Sequence, residues 1–295
     1  MYQPASLQEA SRLLKDNGPG GCLLAGGTDL VIAMKEKGFL PKYIVDLKHI
    51  AGLNGIRENR DGSISIGALT TMREIEISLL IKNKYPFLAQ SAAEVGSIQI
   101  RHRATIGGNI ANATPSADTA PALIALGASA KVTSANAERT VPLDEFFTGP
   151  GHTVMGADEI LTEVTIPKTA ANLVGDYIKF SPREMMDLAY VGVAVSYQLA
   201  ANDKKLTDVR IVLGAVAPTP LRARRAEAAL EGQNLSEALA EKAGDLAAEE
   251  AKPISDVRST AEYRRAMVGT MTKRALLNTA VGPAQSWYER RDRRY

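Results

Sequence analysis

Cysteine is almost missing from this sequence: Cys22 is the only one in 295 residues. A single thiolate cannot by itself hold an iron–sulfur cluster or a structural zinc, and no disulfide can close within the chain. Histidine is scarce as well. His49, His102 and His152 stand far apart, outside any H-E-x-x-H spacing, so no metal site is expected. The sequence also lacks G-x-S-x-G, the P-loop G-x-x-x-x-G-K-[ST] and the Rossmann G-x-G-x-x-G, so a nucleotide bound here is held some other way. No apolar run approaches about 18 residues, and the start M-Y-Q-P-A-S-L-Q-E-A has no basic segment leading into an apolar one. The expectation is a soluble, cytoplasmic protein with no membrane span. An excess of charge of one sign is missing too: 35 basic against 33 acidic side chains give +2, which argues against nucleic acid or an anionic membrane as a partner. The basic cluster E-R-R-D-R-R-Y at 289–295 reads as a solvated tail.

What is present is an ordinary globular composition, 45% hydrophobic, over a length that suits two modest domains. Ser6 caps an apolar stripe through Leu7, Ala10, Leu13 and Leu14, predicting a helix that ends near Gly18. C-L-L-A at 22–25 reads as a buried strand running into Gly26-Gly27, with a helix from there to Gly38. Strands are expected at 43–47, 63–68 and 160–166, a hairpin from A-K-V-T-S and R-T-V-P-L, and a loop over 148–156. T-M-R-E at 71–74 is a capping box opening a helix through Leu80, Pro86 opens another to Val95, and 117–126 has helical spacing. Beyond a change of composition near 169–173, strand-like runs at 177–180, 190–199 and 208–217 predict an antiparallel sheet with one covered face. Helices over 221–231, 236–250 and 259–279 follow it.

Two glycine pairs carry the functional signal. Gly26-Gly27 lies between a strand and a helix, where Thr28 and Asp29 can cap the first turn and the backbone N–H groups can face an anion. Alone, such a pair is more often a plain tight turn. A second pair, Gly107-Gly108, stands in A-T-I-G-G-N-I-A-N-A-T-P-S-A-D at 104–118 and again leads toward a helix. Two N–H nests could face the two phosphates of a diphosphate, with Asn109, Asn112, Thr114 and Ser116 as hydrogen-bonding neighbours. Asp118, an acceptor when ionised, suits a ribose hydroxyl. Each of these residues alone could equally serve an Asx turn or a cap, but together they favour a dinucleotide.

Several ordered motifs then extend over nearly the whole chain: L-A-G-G-T-D-L at 24–30, I-R-H-R-A-T-I-G-G-N-I-A-N-A-T-P-S-A-D at 100–118, A-L-I-A-L-G-A at 122–128 and D-E-I-L-T-E-V at 158–164. K-F-S-P-R-E-M-M-D-L-A-Y-V at 179–191, L-G-A-V-A-P-T-P at 213–220 and A-E-Y-R-R at 261–265 continue the series. In these the chain resembles the FAD-binding medium subunit of the molybdenum hydroxylases, the xanthine dehydrogenase and carbon monoxide dehydrogenase family. The resemblance implies an α+β fold. A two-subdomain FAD-binding domain of the vanillyl-alcohol-oxidase/PCMH type would occupy 1–170, with subdomains of about 1–55 and 56–170. A C-terminal α+β domain, a three-stranded antiparallel sheet with helices, would occupy 171–295. It further implies that Leu24, Ala25, Gly26, Gly27, Thr28, Asp29, Leu30 and Val31, with Thr105, Ile106, Gly107, Gly108 and Asn109, wrap the FAD diphosphate. Asp118 would contact the ribose and adenosine part, Ile160 and Leu161 would lie along the cofactor, and Lys179 would sit near it. Some relatives place an aromatic beside the flavin in the segment matching 187–190, where this chain has Leu188 and Tyr190. Relatives that reduce 4-hydroxybenzoyl-coenzyme A carry an extra four-cysteine cluster, which a chain with Cys22 alone cannot hold.

The implied role is that of an electron-transfer subunit in a heterotrimer, assembled as a dimer of heterotrimers. A large subunit with the molybdenum cofactor hydroxylates substrate, and a small subunit with two [2Fe-2S] clusters relays single electrons. FAD on this chain would pass pairs to NAD+, a quinone, ferredoxin or oxygen. No acid–base side chain is required for that, in keeping with the absence of a triad or paired acidic motif. The competing readings are a self-contained FAD-dependent oxidase or reductase, which would need its own acid or base over the flavin, and a non-catalytic interaction subunit that has lost the cofactor.

Overall fold

A computed structural model of the chain describes residues 1–183, 185–200 and 205–280; the basic cluster at 289–295 lies outside the described residues. In chain order the elements are α1 (Leu7–Asn17), β1 (Gly21–Leu24), α2 (Leu30–Glu36), β2 (Tyr43–Asp46), β3 (Ile56–Glu58), β4 (Ile64–Gly67), α3 (Met72–Ile77), α4 (Leu79–Lys84), α5 (Pro86–Ala93), α6 (Ile98–Arg101), α7 (Ile106–Ala111) and α8 (Thr119–Ala125). There follow β5 (Ser129–Thr133), β6 (Glu138–Pro142), β7 (Phe147–Gly149), β8 (His152–Thr153), β9 (Ile160–Ile166), β10 (Leu173–Phe180), β11 (Val191–Leu199), β12 (Leu206–Gly214), β13 (Leu221–Arg222), α9 (Arg224–Leu230), α10 (Glu237–Glu250) and α11 (Ala261–Ala280).

Two compact units emerge. The first comprises residues 1–75, 97–114 and 127–168. Its frame is a five-stranded antiparallel sheet in the order β3-β4-β9-β5-β6, accompanied by the parallel pair β1-β2. The sequence already shows how this unit begins: Ser6 accepts a hydrogen bond from the Glu9 N–H, and Ala10 and Leu14 turn inward to a cluster with Val45, Leu47, Leu53 and Ile160. The 71–74 capping box forms in both directions, Thr71 N–H to Glu74 Oε2 at 2.7 Å and Glu74 N–H to Thr71 Oγ1 at 3.2 Å.

Three expectations change here. The helix expected to run from 71 through Leu80 divides at Ser78, whose backbone turns extended (φ −58, ψ 120) so that its hydroxyl can cap α4 at the Ile81 N–H. The loop expected over 148–156 contains the two short strands β7 and β8, folded back on each other around Gly151 at φ +74. Finally, Asp29 stands at the N-cap of α2 without a side-chain capping bond, so the cap expected there is not made.

The second unit comprises residues 76–96, 115–126 and the chain from Thr169 onward. Helices that precede the expected boundary at 170 therefore belong with the chain that follows it. The reason lies in the sheet β10-β11-β12-β13. On one face Val191, Val193, Val195 and Tyr197 pack with Ala240, Ala243, Ala247, Val268 and Leu276 of α10 and α11. On the other, close packing brings Gly175 against the Phe87 ring of α5 and Gly214 against Pro121 of α8, and the Ser196 hydroxyl donates to the Ala125 carbonyl at 2.8 Å. The sheet is thus covered on both faces rather than one, which is why seven consecutive residues of β11, Val191 to Tyr197, are buried. The expected three strands are long, and the fourth, β13, takes up the first two residues of a segment that sequence periodicity assigned to helix.

Candidate functional site

The first unit builds a cradle from two segments far apart in sequence. Strand β1 ends at Leu24, held parallel to β2 by the Leu24–Asp46 register, and the chain then turns through Gly26 and Gly27 into α2. Gly27 has φ +79, a conformation that needs glycine. Gly26 is required for another reason: a Cβ there would stand 2.0 Å from the Arg103 carbonyl oxygen. The missing side chain lets the loop lie directly on the backbone of the 103–105 segment. Helix α2 makes its first bonds from the Val31 N–H to the Gly27 carbonyl and from the Ala33 N–H to the Asp29 carbonyl. Among the described residues, none accepts a hydrogen bond from the N–H groups of Gly26, Gly27, Thr28, Asp29 or Leu30. Five successive donors without protein acceptors form the kind of concavity that takes an anion.

The second segment is tied down along its length. Ala104 accepts from the Met72 N–H at 2.8 Å, the Ile106 N–H reaches the Thr70 carbonyl at 2.9 Å, and the Gly107 N–H reaches the Ala68 carbonyl at 2.9 Å. Thr105 then caps α7, its hydroxyl accepting from the Gly108 N–H at 3.1 Å, and the Asn109 N–H bonds the Thr105 carbonyl. Gly107 and Gly108 thus lie inside the first turn of a helix with their donors engaged. The expectation of two equivalent N–H nests gives way to one open loop, at 26–30, and one internally bonded turn. Gly107 is glycine because a Cβ would fall 2.6 Å from the Ala68 Cβ and 2.7 Å from its carbonyl oxygen.

Where the two segments meet, a concavity of about 90 Å³ is lined by Ala25, Gly26, Leu69, Thr71 and Thr105 together with Lys48, His102 and Arg103. Lys48 is anchored by Asp46 at 2.7 Å. Burial alone would raise the Asp46 carboxyl, but hydrogen bonds from the Lys48 side chain and backbone, with the Lys48 and His49 charges, hold it below the usual range. An ionised Asp46 fixes the ammonium, while His102 and Arg103 are exposed. Lys48, His102 and Arg103 were not singled out from the sequence. Arg103 and His102 stand inside the I-R-H-R-A-T motif, where basic residues beside a glycine pair were the available signal; Lys48, in D-L-K-H, had none.

In the second unit Asp118 and Lys179 do come together. Lys179 Nζ lies 3.0 Å from Asp118 Oδ2 and 2.9 Å from the Glu94 carbonyl, and the Tyr177 hydroxyl donates to Asp118 Oδ1 at 3.0 Å. All three side chains are buried. Desolvation pushes the Asp118 carboxyl up to about 6, against the Lys179 charge and the hydrogen bonds from Lys179 and Tyr177. Tyr177 is a further residue that sequence reasoning passed over. Ile160 and Leu161 are core: Ile160 is fully buried beneath α1 in the first unit's cluster, and Leu161 faces Val132 across the sheet. With both side chains committed to packing, only their backbone is left to face a cofactor. Among the described residues no cluster of three metal-ligating side chains occurs, and no helix is long and apolar enough to cross a membrane.

A family model described as the FAD binding domain in molybdopterin dehydrogenase matches residues 1–169, and one described as the CO dehydrogenase flavoprotein C-terminal domain matches 176–279. The chain belongs to the FAD-binding medium subunits of the molybdenum hydroxylases. This flavoprotein subunit is 33% identical to the xanthine dehydrogenase FAD-binding subunit of Escherichia coli O157:H7 over 284 residues, 96% of each chain. It is 35% identical to the carbon monoxide dehydrogenase medium chain of Hydrogenophaga pseudoflava over 275 residues, 93% of this chain and 94% of that one. In three dimensions it matches a chain of the H. pseudoflava carbon monoxide dehydrogenase with a TM-score of 0.89 at 36% identity, covering 93% and 94% of the two chains. It also matches a chain of quinoline 2-oxidoreductase from Pseudomonas putida 86 with a TM-score of 0.88 at 29% identity, covering 96% of each. The flavoprotein subunit is therefore an oxidoreductase subunit with an electron-transfer role, carrying FAD while molybdenum and iron–sulfur cofactors reside on its partner subunits.

Proposed function

We propose that the 24–31 loop is where this subunit holds the FAD diphosphate, with the free N–H groups of Gly26 to Leu30 as donors. The observation that carries the reading is that run of five unpartnered donors beside Lys48, His102 and Arg103. Fixed N–H dipoles and adjacent cations suit a diphosphate's charge without reorganising when it binds. The segment Thr105 to Asn109 supports the loop from below: Arg103 and Ala104 supply the backbone surface on which Gly26 rests, and Gly107 locks that surface to Ala68. Asp118 and Lys179, held in place by Tyr177 and the Glu94 carbonyl, keep their expected role as cofactor-contacting residues. Ile160 and Leu161 contribute through their backbone.

When bound, FAD supplies the conversion between one-electron and two-electron transfer. The protein's part is to bind it, orient it and set its electrostatic surroundings. In this reading the subunit works in a dimer of heterotrimers in the cytoplasm, receiving electrons from the small iron–sulfur subunit and passing them to an external acceptor. The test is direct. The purified chain should carry FAD with a flavin absorption spectrum and show no hydroxylase activity until joined by its partners. A chain that takes up no FAD when refolded with excess cofactor, or that turns over a small substrate unaided, would overturn the proposal.

A further inference from the structure

We propose that Tyr177 is a positioning residue for the cofactor: its hydroxyl fixes the Asp118 carboxylate in the orientation and charge state that accept a ribose hydroxyl. This rests on the cofactor role proposed for Asp118. Tyr177 and Lys179 stand two apart on β10, so both side chains leave the same face of the sheet. They reach the two oxygens of one carboxylate, Tyr177 Oη donating to Oδ1 and Lys179 Nζ to Oδ2, each at 3.0 Å. A carboxylate gripped at both oxygens cannot rotate without breaking both bonds, and each oxygen keeps a second lone pair for a ligand.

The sheet is built around that hydroxyl. Gly192 pairs with Lys179 on the neighbouring strand, and a Cβ there would stand 3.3 Å from Tyr177 Oη, closer than most side chains pack. Gly214, opposite Gly192 on β12, receives Pro121 of α8, whose ring would lie 2.8 Å from a Cβ. The backbone on either side of Asp118 is therefore held independently, by Pro121 seated on Gly214 and by the Ala215 N–H bonding the Pro115 carbonyl at 2.8 Å. Tyr177 is held too: it is fully enclosed, and the Gln90 side chain takes its carbonyl. Loss of the hydroxyl alone frees the carboxylate and leaves its backbone in place. Among the described residues, the ionisable groups acting on Asp118 are Lys179 and Tyr177, with Glu94 at the end of α5 acting on Tyr177 in turn. Burial favours the protonated acid, and the bonds from Lys179 and Tyr177 oppose it. A protonated Asp118 would present a donor where an acceptor is needed.

The test is the FAD affinity of the full chain, freed of cofactor and titrated with FAD by flavin fluorescence from about pH 5 to 9. Wild-type affinity should be level at high pH and fall as pH drops through about 6, where the folded Asp118 carboxyl takes up its proton. The Tyr177 hydroxyl, pushed above its ordinary value by burial, stays protonated throughout. Tyr177→Phe keeps the ring and removes one bond to the ionised form, so the fall should come about one pH unit higher. At pH 9, where both carboxylates are ionised, the variant should still bind several-fold more weakly because its carboxylate can turn. Asp118→Asn and the double variant should show no step. A Tyr177→Phe profile that superimposes on the wild type, while Asp118→Asn binds weakly at every pH, would overturn the proposal. So would a loss that Tyr177→Phe adds in full to Asp118→Ala, because the tyrosine would then act by packing and not through Asp118. An Asp118→Asn chain that binds FAD with the wild-type profile would instead refute the cofactor role of Asp118 itself.

Discussion

Replacing Gly107 by alanine separates scaffolding from cofactor binding. The added Cβ would sit 2.6 Å from the Ala68 Cβ and 2.7 Å from the Ala68 carbonyl oxygen, which itself accepts the Gly107 N–H at 2.9 Å. Both neighbours belong to a buried backbone segment that ends β4, so neither can swing aside as a flexible side chain would. Overpacking of this kind costs about 1–3 kcal/mol, and straining the hydrogen bond adds about 1 kcal/mol. Better helix propensity returns about 1 kcal/mol. The net loss of about 1–3 kcal/mol corresponds to a fall in thermal midpoint of roughly 2–5 °C for a chain of this size. Gly108→Ala is the control: its Cβ would meet only Thr105 Oγ1 at 2.9 Å, so the loss is limited to that cap, about 1 kcal/mol. The assay is thermal unfolding of the FAD-free protein by circular dichroism, followed by FAD titration of whatever folds. If FAD-free Gly107→Ala melts with the wild type while FAD affinity collapses, the argument that this glycine serves backbone packing is wrong.

Two further outcomes are expected. Lys48→Ala and Arg103→Ala should each weaken FAD binding about tenfold, more at low than at high salt, with the melting of the FAD-free chain nearly unmoved; equal loss at all salt concentrations would remove these cations from the phosphate cradle. Asp118 gives an unusual pH dependence. Its folded pKa is raised from 3.8 to about 6, so its contribution favours folding fully below its unfolded pKa and is lost as pH rises through about 6, a change of about 3 kcal/mol. Between pH 4 and 7 the FAD-free wild type should therefore lose, relative to Asp118→Asn, about that much stability in urea titrations. Parallel pH profiles for the two proteins would show that Lys179 fully compensates the burial of the carboxylate.

The legible features were the local ones. Ser6 and the Thr71–Glu74 box form as their spacing predicts, because a cap needs only residues three apart. The strand–glycine–helix order at 22–36 was equally readable, since Gly27 at φ +79 is a local backbone demand. The 107–108 pair read the same way and turned out differently. Its dipeptide is identical, but its first glycine, Gly107, answers to Ala68, a residue 39 positions away whose proximity no local pattern encodes. Lys48 was invisible for a similar reason: it joins the cradle only because β2 pairs with β1 and Asp46 pins its ammonium.

By itself, then, the sequence determined the family through ordered motifs, the absence of metal-ligand patterns through its cysteine and histidine content, and the element types through short-range periodicity and capping. Tertiary structure alone decided which backbone N–H groups stay free. That is a matter of accounting over the unit: the donors of 106–109 find acceptors in the 68–70 segment and in Thr105, whereas those of 26–30 find none among the described residues. It also decided that Asp118 and Lys179 are partners. Burial and pairing depend on what long-range packing brings alongside, and the order of residues along the chain does not carry that information locally.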